Sequence, residues 1–572
     1  MIPFTVMTST SQAPADPRTA GRALTAGTLL AAALAVAVAQ IGVSMPAVLN
    51  GVIQRDLGTT STELTWVSDA FLVPITLLEL TFGVLGDLFG RKRLLIIGAA
   101  LMTAGGVLTA LTPGPDAAHG QRVAIMLGGQ VVAGIGAAAI FPTSVALLAA
   151  ATTTVKERSH ALSVWAAALT GAGVVAPVAS GLLVRLDHDG GPFASWRWPF
   201  LALAGLAAVS AVVTLLLSQD SRAREGRRLD PIGQILVSAG FFALLYGVID
   251  TEEHGLRDAG VLLWLAAGAV LLTAFVLYER GREHPLLDIS LFRNRVFATT
   301  AAVTVIGMFA YLGTAYATSI RVSAIQGYSP LKTAVAFVCL NIMGVVLFPV
   351  SSRLIERHSP GWILAGGMAL ISAGDVAMAL IPATHVSIAA VAVPLLAIGA
   401  GFKLAVTAVT VVAVNSVPVG KAGMASGATS MLRDLGLTLG PAIIGAVSLS
   451  RAGDAIAARL ASDPQLASAY QSFLASPASA PPEAKGELAA AVGAVQSGPL
   501  GANAVPAAIN PLKDVAFHAL SDAYATGYLI CAVAAAVAAI IAAVMIGGRG
   551  PVTTFTEELP GELPDADRTA AG

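Results

Sequence analysis

Apolar residues fall along this chain in long blocks, each close to the roughly 20 residues that a helix needs to cross a bilayer. Fourteen blocks are predicted as spanning helices, near 24–46, 64–83, 94–112, 123–147, 161–184, 198–218, 232–250, 259–278, 296–320, 332–352, 362–381, 386–414, 422–449 and 522–546. An even number places both termini on one side. The connections on that side carry sixteen Lys and Arg against seven on the short connections of the other, which by the positive-inside rule makes both termini cytoplasmic. A polar, alanine-rich excursion over 451–520 separates the last two blocks and is external by topology. Its runs at 454–460 and 465–474 read as helix, Pro477, Pro481 and Pro482 are expected to break it, and a packed helical hairpin is the expectation. Residues 1–21 and the acidic tail 548–572 are expected to be disordered.

Composition narrows the class. Of 572 residues, 56% are hydrophobic and 12% charged, about half the charge of an ordinary soluble domain, and mean hydropathy is +0.77. This describes an all-α membrane protein. The first block is longer than a signal-peptide core and is read as a retained helix, although Ala-Val-Ala before Gln40 imitates a cleavage site. A net charge of −1 without a basic patch gives no reason to expect nucleic acid. Cys339 and Cys531 lie inside apolar blocks, and the histidines sit near loops without metal spacing, so neither a disulfide framework nor a metal site is expected. No phosphate-binding G-x-x-x-x-G-K-[ST] occurs, which argues against ATP as an energy source and leaves no cofactor to expect.

The chain is organised around Gly83-Val84-Leu85-Gly86-Asp87-Leu88-Phe89-Gly90-Arg91-Lys92-Arg93, between the second and third blocks. It reads as a glycine-punctuated turn at the inner membrane surface. Its glycines permit close helix approach, and Arg91 and Lys92 hold it on the cytoplasmic side. Asp87 is a carboxylate at the membrane edge, suited to the N-terminus of a neighbouring helix. A relic of the stretch, Ser352-Arg353-Leu354-Ile355-Glu356-Arg357, follows the tenth block, with Glu356 where Asp87 would fall.

The stretch resembles the loop signature G-x-L-x-D-x-x-G-R-K of the major facilitator superfamily, and the set of further motifs resembles its fourteen-span drug:proton antiporter family. Those motifs are Trp196-Arg197-Trp198-Pro199-Phe200, Arg227-Arg228-Leu229-Asp230, Leu291-Phe292-Arg293-Asn294 and Gly327-Tyr328-Ser329-Pro330. The fifth block, with Gly173, Pro177 and Gly181, is similar to a weakened antiporter helix. The resemblance implies a major facilitator fold of two six-helix bundles, 22–218 and 296–547, with an inserted pair of spans within 219–295. It also implies an inner gate formed by Gly83, Asp87, Gly90, Arg91 and Lys92. Two positions depart from the family: Gln130 stands where an arginine is usual, and Ile41-Gly42-Val43-Ser44 lacks the usual aspartate.

Ionisable groups inside the membrane are costly and point to function. Glu79 and Asp69 in the second span are the proton-coupling candidates. Glu79 shares a helical face with Gly83 and Asp87, and burial favours its neutral form, as a proton carrier requires. Lys403 lies mid-span in the twelfth block, with Glu79 and Asp375 as candidate partners. Gln130, Asp375 and Arg433 complete the cavity or ion-pair candidates, and Arg433-Asp434 reads as a local pair. The functional expectation is a secondary active exporter of small amphiphilic molecules in a bacterial cytoplasmic membrane, driven by the proton gradient. Its partners would be the cargo, protons, membrane lipid and an envelope component at the external insertion. A lipid or glycolipid exporter, and a membrane scaffold or sensor without transport, remain the alternatives; an embedded enzyme lacks support.

Overall fold

A computed structural model describes residues 24–114, 116–152, 154–186, 195–221, 229–255, 257–282, 285–385, 387–417 and 422–548. The expectations for residues 1–21, for Arg227-Arg228, for the tail beyond 548 and for the Glu356 side chain lie outside what it describes.

Among the described residues, thirteen helices are long and apolar enough to cross a membrane. The N-terminal group is α1 (Ala26–Ser44) with its continuation α2 (Pro46–Leu57), α3 (Ser61–Phe89), α4 (Arg91–Ala110), α5 (His119–Ala151), α6 (Val155–Leu183) and α7 (Arg197–Leu217). The pair α8 (Pro231–His254) and α9 (Ala259–Glu279) follows, packed on each other, with α8 also against α3. The C-terminal group comprises α10 (Arg295–Ser319), α11 (Pro330–Val346) with α12 (Phe348–Arg357), α13 (Pro360–Leu380), α14 (Ile388–Asn415) and α15 (Ala422–Ser462), then α19 (Lys513–Met545) after the short helices α16 (Pro464–Ser479), α17 (Pro482–Gln496) and α18 (Pro499–Ala504).

The expected count of fourteen becomes thirteen long helices plus α11, an apolar helix of 17 residues. It ends at Val346 rather than 352 because Pro349 cannot donate to the carbonyl one turn back and its ring crowds that turn. Pro477 does not interrupt α16 as expected. The Phe473 carbonyl, left without its usual N–H donor, accepts the Ser476 hydroxyl at 2.7 Å instead. Stretch 83–89 is likewise helical rather than a turn, and the chain bends only at Gly90, whose φ of 108° suits glycine.

Each group closes on its own core. Phe71, Met102, Ala137, Phe200 and Leu203 meet in the first, and Tyr316, Leu340, Met368, Ile398 and Tyr528 in the second. The large side chains left outside are apolar, such as Leu216, Leu263 and Val544, each 70–75% exposed, as helices facing lipid require. The two groups repeat one packing device. Built on Gly98 of α4, a Cβ would lie 2.7 Å from the Gly136 carbonyl of α5, and on Gly105 it would lie 2.5 Å from that of Gly129. At the same interval further along the chain, Gly367 of α13 would meet the Gly401 carbonyl of α14 at 2.7 Å, and Gly374 that of Pro394 at 2.9 Å. The orphan carbonyls beyond α4 and α13 are also treated alike. Arg197 of α7 donates to the Thr112 and Pro113 carbonyls, and Arg321, after α10, to those of Ile381 and Pro382, so the carbonyls correspond while the arginines come from different elements. This is backbone-level evidence of an internal duplication.

The excursion packs onto the second group, burying Phe473, Val492, Val495 and Leu500 in its core. Asn503 of α18 donates to the carbonyls of Ala324 (2.9 Å) and Ile325 (3.3 Å), at the end of the π-helical turn Ile320–Ile325 that finishes α10. Replacing it by Leu should leave both carbonyls without that donor, at a cost of about 1–3 kcal/mol. A lowered midpoint of thermal unfolding in detergent is the expected result, and an unchanged midpoint would show that the clasp is idle.

Candidate functional site

The α3 helix runs between the two groups and carries most of the candidate chemistry. Thr65, Asp69, Thr76, Glu79, Gly83 and Asp87 form one polar stripe along it, by the helical period. Opposite lies α15, antiparallel, whose Asp434, Thr438 and Gly445 share one face by the helical period. The stripes meet rung by rung. The Thr76 and Thr438 hydroxyls are 2.7 Å apart, and a Cβ on Gly445 would lie 2.7 Å from the Thr65 hydroxyl.

Glu79 and Asp434 form the rung nearest the Gly90 bend, side chain to side chain, with the Arg433 charge acting on both. The Arg433 Nε donates to Asp434 Oδ1 at 2.9 Å. Both carboxyls are buried, at 6% and 7% exposure, and Glu79 Oε2 and Asp434 Oδ2 each lack a donor. Two carboxylates offer only acceptors, so this contact becomes a hydrogen bond only when one of them holds a proton. Arg433-Asp434 is a local pair as read from the sequence, and Glu79 is added to it from α3, far away in the chain.

The other candidates separate. Asp69 is fully buried, and neither of its oxygens has a hydrogen-bond partner among the described residues. Asp375 accepts from the Thr314 hydroxyl at 2.5 Å within the second group. Lys403 meets neither Glu79 nor Asp375: its Nζ lies 4.8 Å from the centre of the Phe348 ring. Among the described residues no acid lies within 4.0 Å of that nitrogen. Gln130 is buried in the α4–α5 packing and donates to the Thr109 hydroxyl at 3.1 Å.

In the signature stretch, Gly83 and Gly86 sit against α5. A Cβ on Gly86 would be 3.1 Å from Thr143 Cγ2, and one on Gly83 would be 3.7 Å from Pro142 Cβ. Asp87 pairs with Arg91, one turn on, at 2.7 Å. The Lys92 Nζ donates to the Ser218 carbonyl at 2.7 Å, tying the stretch to the end of α7. Residues 418–421, which lead into the helix terminus expected to meet Asp87, lie outside the described part. Other motif residues prove to be caps. Asp230 caps α8 through the Gly233 N–H, Asn294 caps α10 through the Val296 N–H, and Gly327 supplies a φ of 68° before Pro330 opens α11.

At the insertion-bearing face the groups are pressed together. Asn50 donates to the Ser319 hydroxyl at 3.1 Å, Ser319 donates to the Ala47 carbonyl, and a Cβ on Gly51 would lie 2.9 Å from the Ser323 Cβ. On α6, a Cβ on Gly181 would lie 2.9 Å from the Leu331 Cα, while Pro177 stays inside a continuous helix. Deeper between the groups, Gly173 leaves space beside the Asn341, Gln40 and Ser44 side chains, 3.6–4.0 Å from where its Cβ would be. Tyr311 donates to Asn341 Oδ1 at 3.2 Å and stacks on Phe402, with ring centres 3.6 Å apart. The only hint of this polar–aromatic patch in the sequence was a lone amide, Gln40 or Asn341, in an otherwise apolar block. A cavity beside Arg433, lined by Thr304, Val406 and Thr410, measures about 30 Å³, which suits water and not a drug-sized molecule.

The sequence model of the Major Facilitator Superfamily matches residues 30–441. The chain is 30% identical to the multidrug resistance protein Stp of Mycobacterium tuberculosis (strain CDC 1551 / Oshkosh), over 69% of this chain and 70% of that protein. It is 27% identical to a tetracenomycin C resistance and export protein of Streptomyces glaucescens, over 75% and 76%. With the multidrug efflux pump LfrA of Mycolicibacterium smegmatis it shares 24% identity over 93% and 97%. Among solved structures, a bacterial homologue of the human lysosomal transporter Spinster, inward-facing and unoccupied, superposes with a TM-score of 0.60 at 14% identity, over 91% of this chain and 97% of that one. That likeness concerns the fold. The chain is thus a multi-pass membrane transporter, not an enzyme, and belongs to the major facilitator superfamily, within its drug-efflux family.

Proposed function

We propose that the protein exports small amphiphilic molecules from the cell by proton antiport with alternating access. It sits in the cytoplasmic membrane with both termini inside, and the Gly90 bend is on the cytoplasmic side. The names of its relatives, which describe multidrug, tetracenomycin and puromycin resistance, support the export of drugs or antibiotics. The observation that carries the proton coupling is the buried contact of Glu79 with Asp434, made between helices of opposite bundles. With both acids ionised, two negative charges face the single positive charge of Arg433. One proton makes the cluster neutral and supplies the missing donor. Because α3 and α15 belong to different bundles, rocking one bundle against the other separates the acids and changes their hold on that proton.

Everted membrane vesicles with an acid interior test the reading. A panel of lipophilic cations, anions and neutral drugs is added while interior pH is followed by dye. Wild type should release protons on addition of a transported compound, and Glu79→Gln should release none while still reaching the membrane. Release that survives in the variant rejects the pair as carrier; no release from wild type with any compound rejects antiport.

A further inference from the structure

One cation near the space between the bundles meets no acid among the described residues. Glu79 and Asp434 engage each other and Arg433. Lys403 is partly buried within α14 and shares a helical face with Val406 and Thr410, which line the cavity next to Arg433. Its Nζ rests over the face of Phe348, a weak substitute for a counter-ion. A lysine inside a membrane span is costly unless a negative charge reaches it. Beside it lies Phe402, half-buried and stacked on the buried Tyr311 at an interplanar angle of 13°. Tyr311 reaches Asn341 and Lys403 follows Phe402 in α14, so the aromatic pair lies between the amide and the ammonium. On the facing bundle, Gly173 keeps the wall open toward Gln40, and Thr170 sits against Gly344.

We propose that this wall is the cargo site and that it takes planar aromatic molecules bearing an ionised acidic group, such as a carboxylate, sulfonate or phenolate. This rests on the export reading above. The ring plane lies against Phe402, which Tyr311 backs from the core, polar substituents reach Asn341 and Gln40, and the anion replaces the Phe348 ring as the partner of Lys403. A planar aromatic cation finds the same surface but meets an unpaired ammonium, so discrimination comes from repulsion as much as from attraction.

Two flat dyes of opposite charge decide the matter: fluorescein, an aromatic anion, and ethidium, an aromatic cation. Binding of each to the detergent-purified full chain is followed by fluorescence anisotropy. Fluorescein should bind more tightly than ethidium. Lys403→Gln should weaken fluorescein about tenfold or more, as expected for loss of one partner of a desolvated charge pair, and should leave ethidium no weaker. Lys403→Arg keeps the charge and should retain fluorescein, which separates loss of charge from misfolding. Proton release in vesicles and dye binding here are scored separately: charge discrimination without proton release rejects antiport alone, and proton release without charge discrimination rejects the cargo assignment alone. Equal or tighter ethidium binding, fluorescein affinity unchanged in Lys403→Gln, or binding of neither dye would overturn the proposal.

Discussion

Oxidation of a Gly51→Cys/Ser323→Cys double variant is expected to stop transport to background, and reduction to restore it. A Cβ at position 51 would lie 2.9 Å from that of Ser323, slightly closer than the roughly 3.5–4.5 Å across a disulfide. That Cβ would also lie 2.8 Å from the Ser323 carbonyl oxygen, so the two segments must part to admit it, and the Gly51→Cys single variant shows first whether the fold accommodates it. The two positions belong to opposite bundles, one on α2 and one on the π-helical turn after α10. A covalent bond there holds the insertion-bearing face shut. If export works by alternating access, cargo can enter from the opposite face and has no exit. The native thiols do not compete in the interpretation, since Cys531 is buried and Cys339 lies within α11; the single variants serve as controls. Dye efflux from vesicles before and after reductant is the measurement. Efflux at the wild-type rate by a fully cross-linked protein would mean that this seal does not open during transport.

The second large effect concerns folding. Gly136→Leu should leave less than about a tenth of the folded protein in the membrane, with the same result for Gly401→Leu. At each site a side chain would be driven into the backbone of a neighbouring helix, Gly98 for Gly136 and Gly367 for Gly401. Backbone atoms cannot turn aside as a flexible side chain can, so the helices must separate. Overpacking costs about 1–3 kcal/mol in ordinary cores and more where nothing yields. Close contact between small residues is also a main attraction between helices in lipid, where apolar burial alone does not drive association. Gly128, on the same helix as Gly136, meets nothing within 4 Å, and Gly128→Leu should fold normally. Fluorescence-detected size exclusion of the three variants compares them, and equal monodisperse peaks would show that the glycine contacts can be spread at little cost.

The span positions were legible because crossing a bilayer is a local demand: an apolar run of a certain length suffices wherever it lies. The length of the helix at 83–89 was misread because glycines and a charge mimic a turn. Close packing of α5 against Gly86 is what that glycine serves, and that neighbour comes from another part of the chain. The end of α11 and the persistence of α16 through Pro477 turned on where proline's missing donor falls and whether a nearby hydroxyl replaces it.

What the sequence determined by itself, then, is that this is a multi-spanning helical membrane protein with Asp69, Glu79, Asp375, Lys403 and Arg433 inside its apolar blocks. Hydrocarbon excludes charge so strongly that such residues stand out singly, with no knowledge of their neighbours. Which of them meet was decided only by the tertiary structure. Glu79 reaches Asp434 because α3 and α15 run antiparallel across the bundle interface with their polar stripes in register, whereas Lys403 faces Phe348 and Gln130 turns to Thr109. A pairing depends on the angle at which each side chain leaves its helix and on which helices lie side by side. Both arise from packing between segments distant in the chain, which no local pattern records.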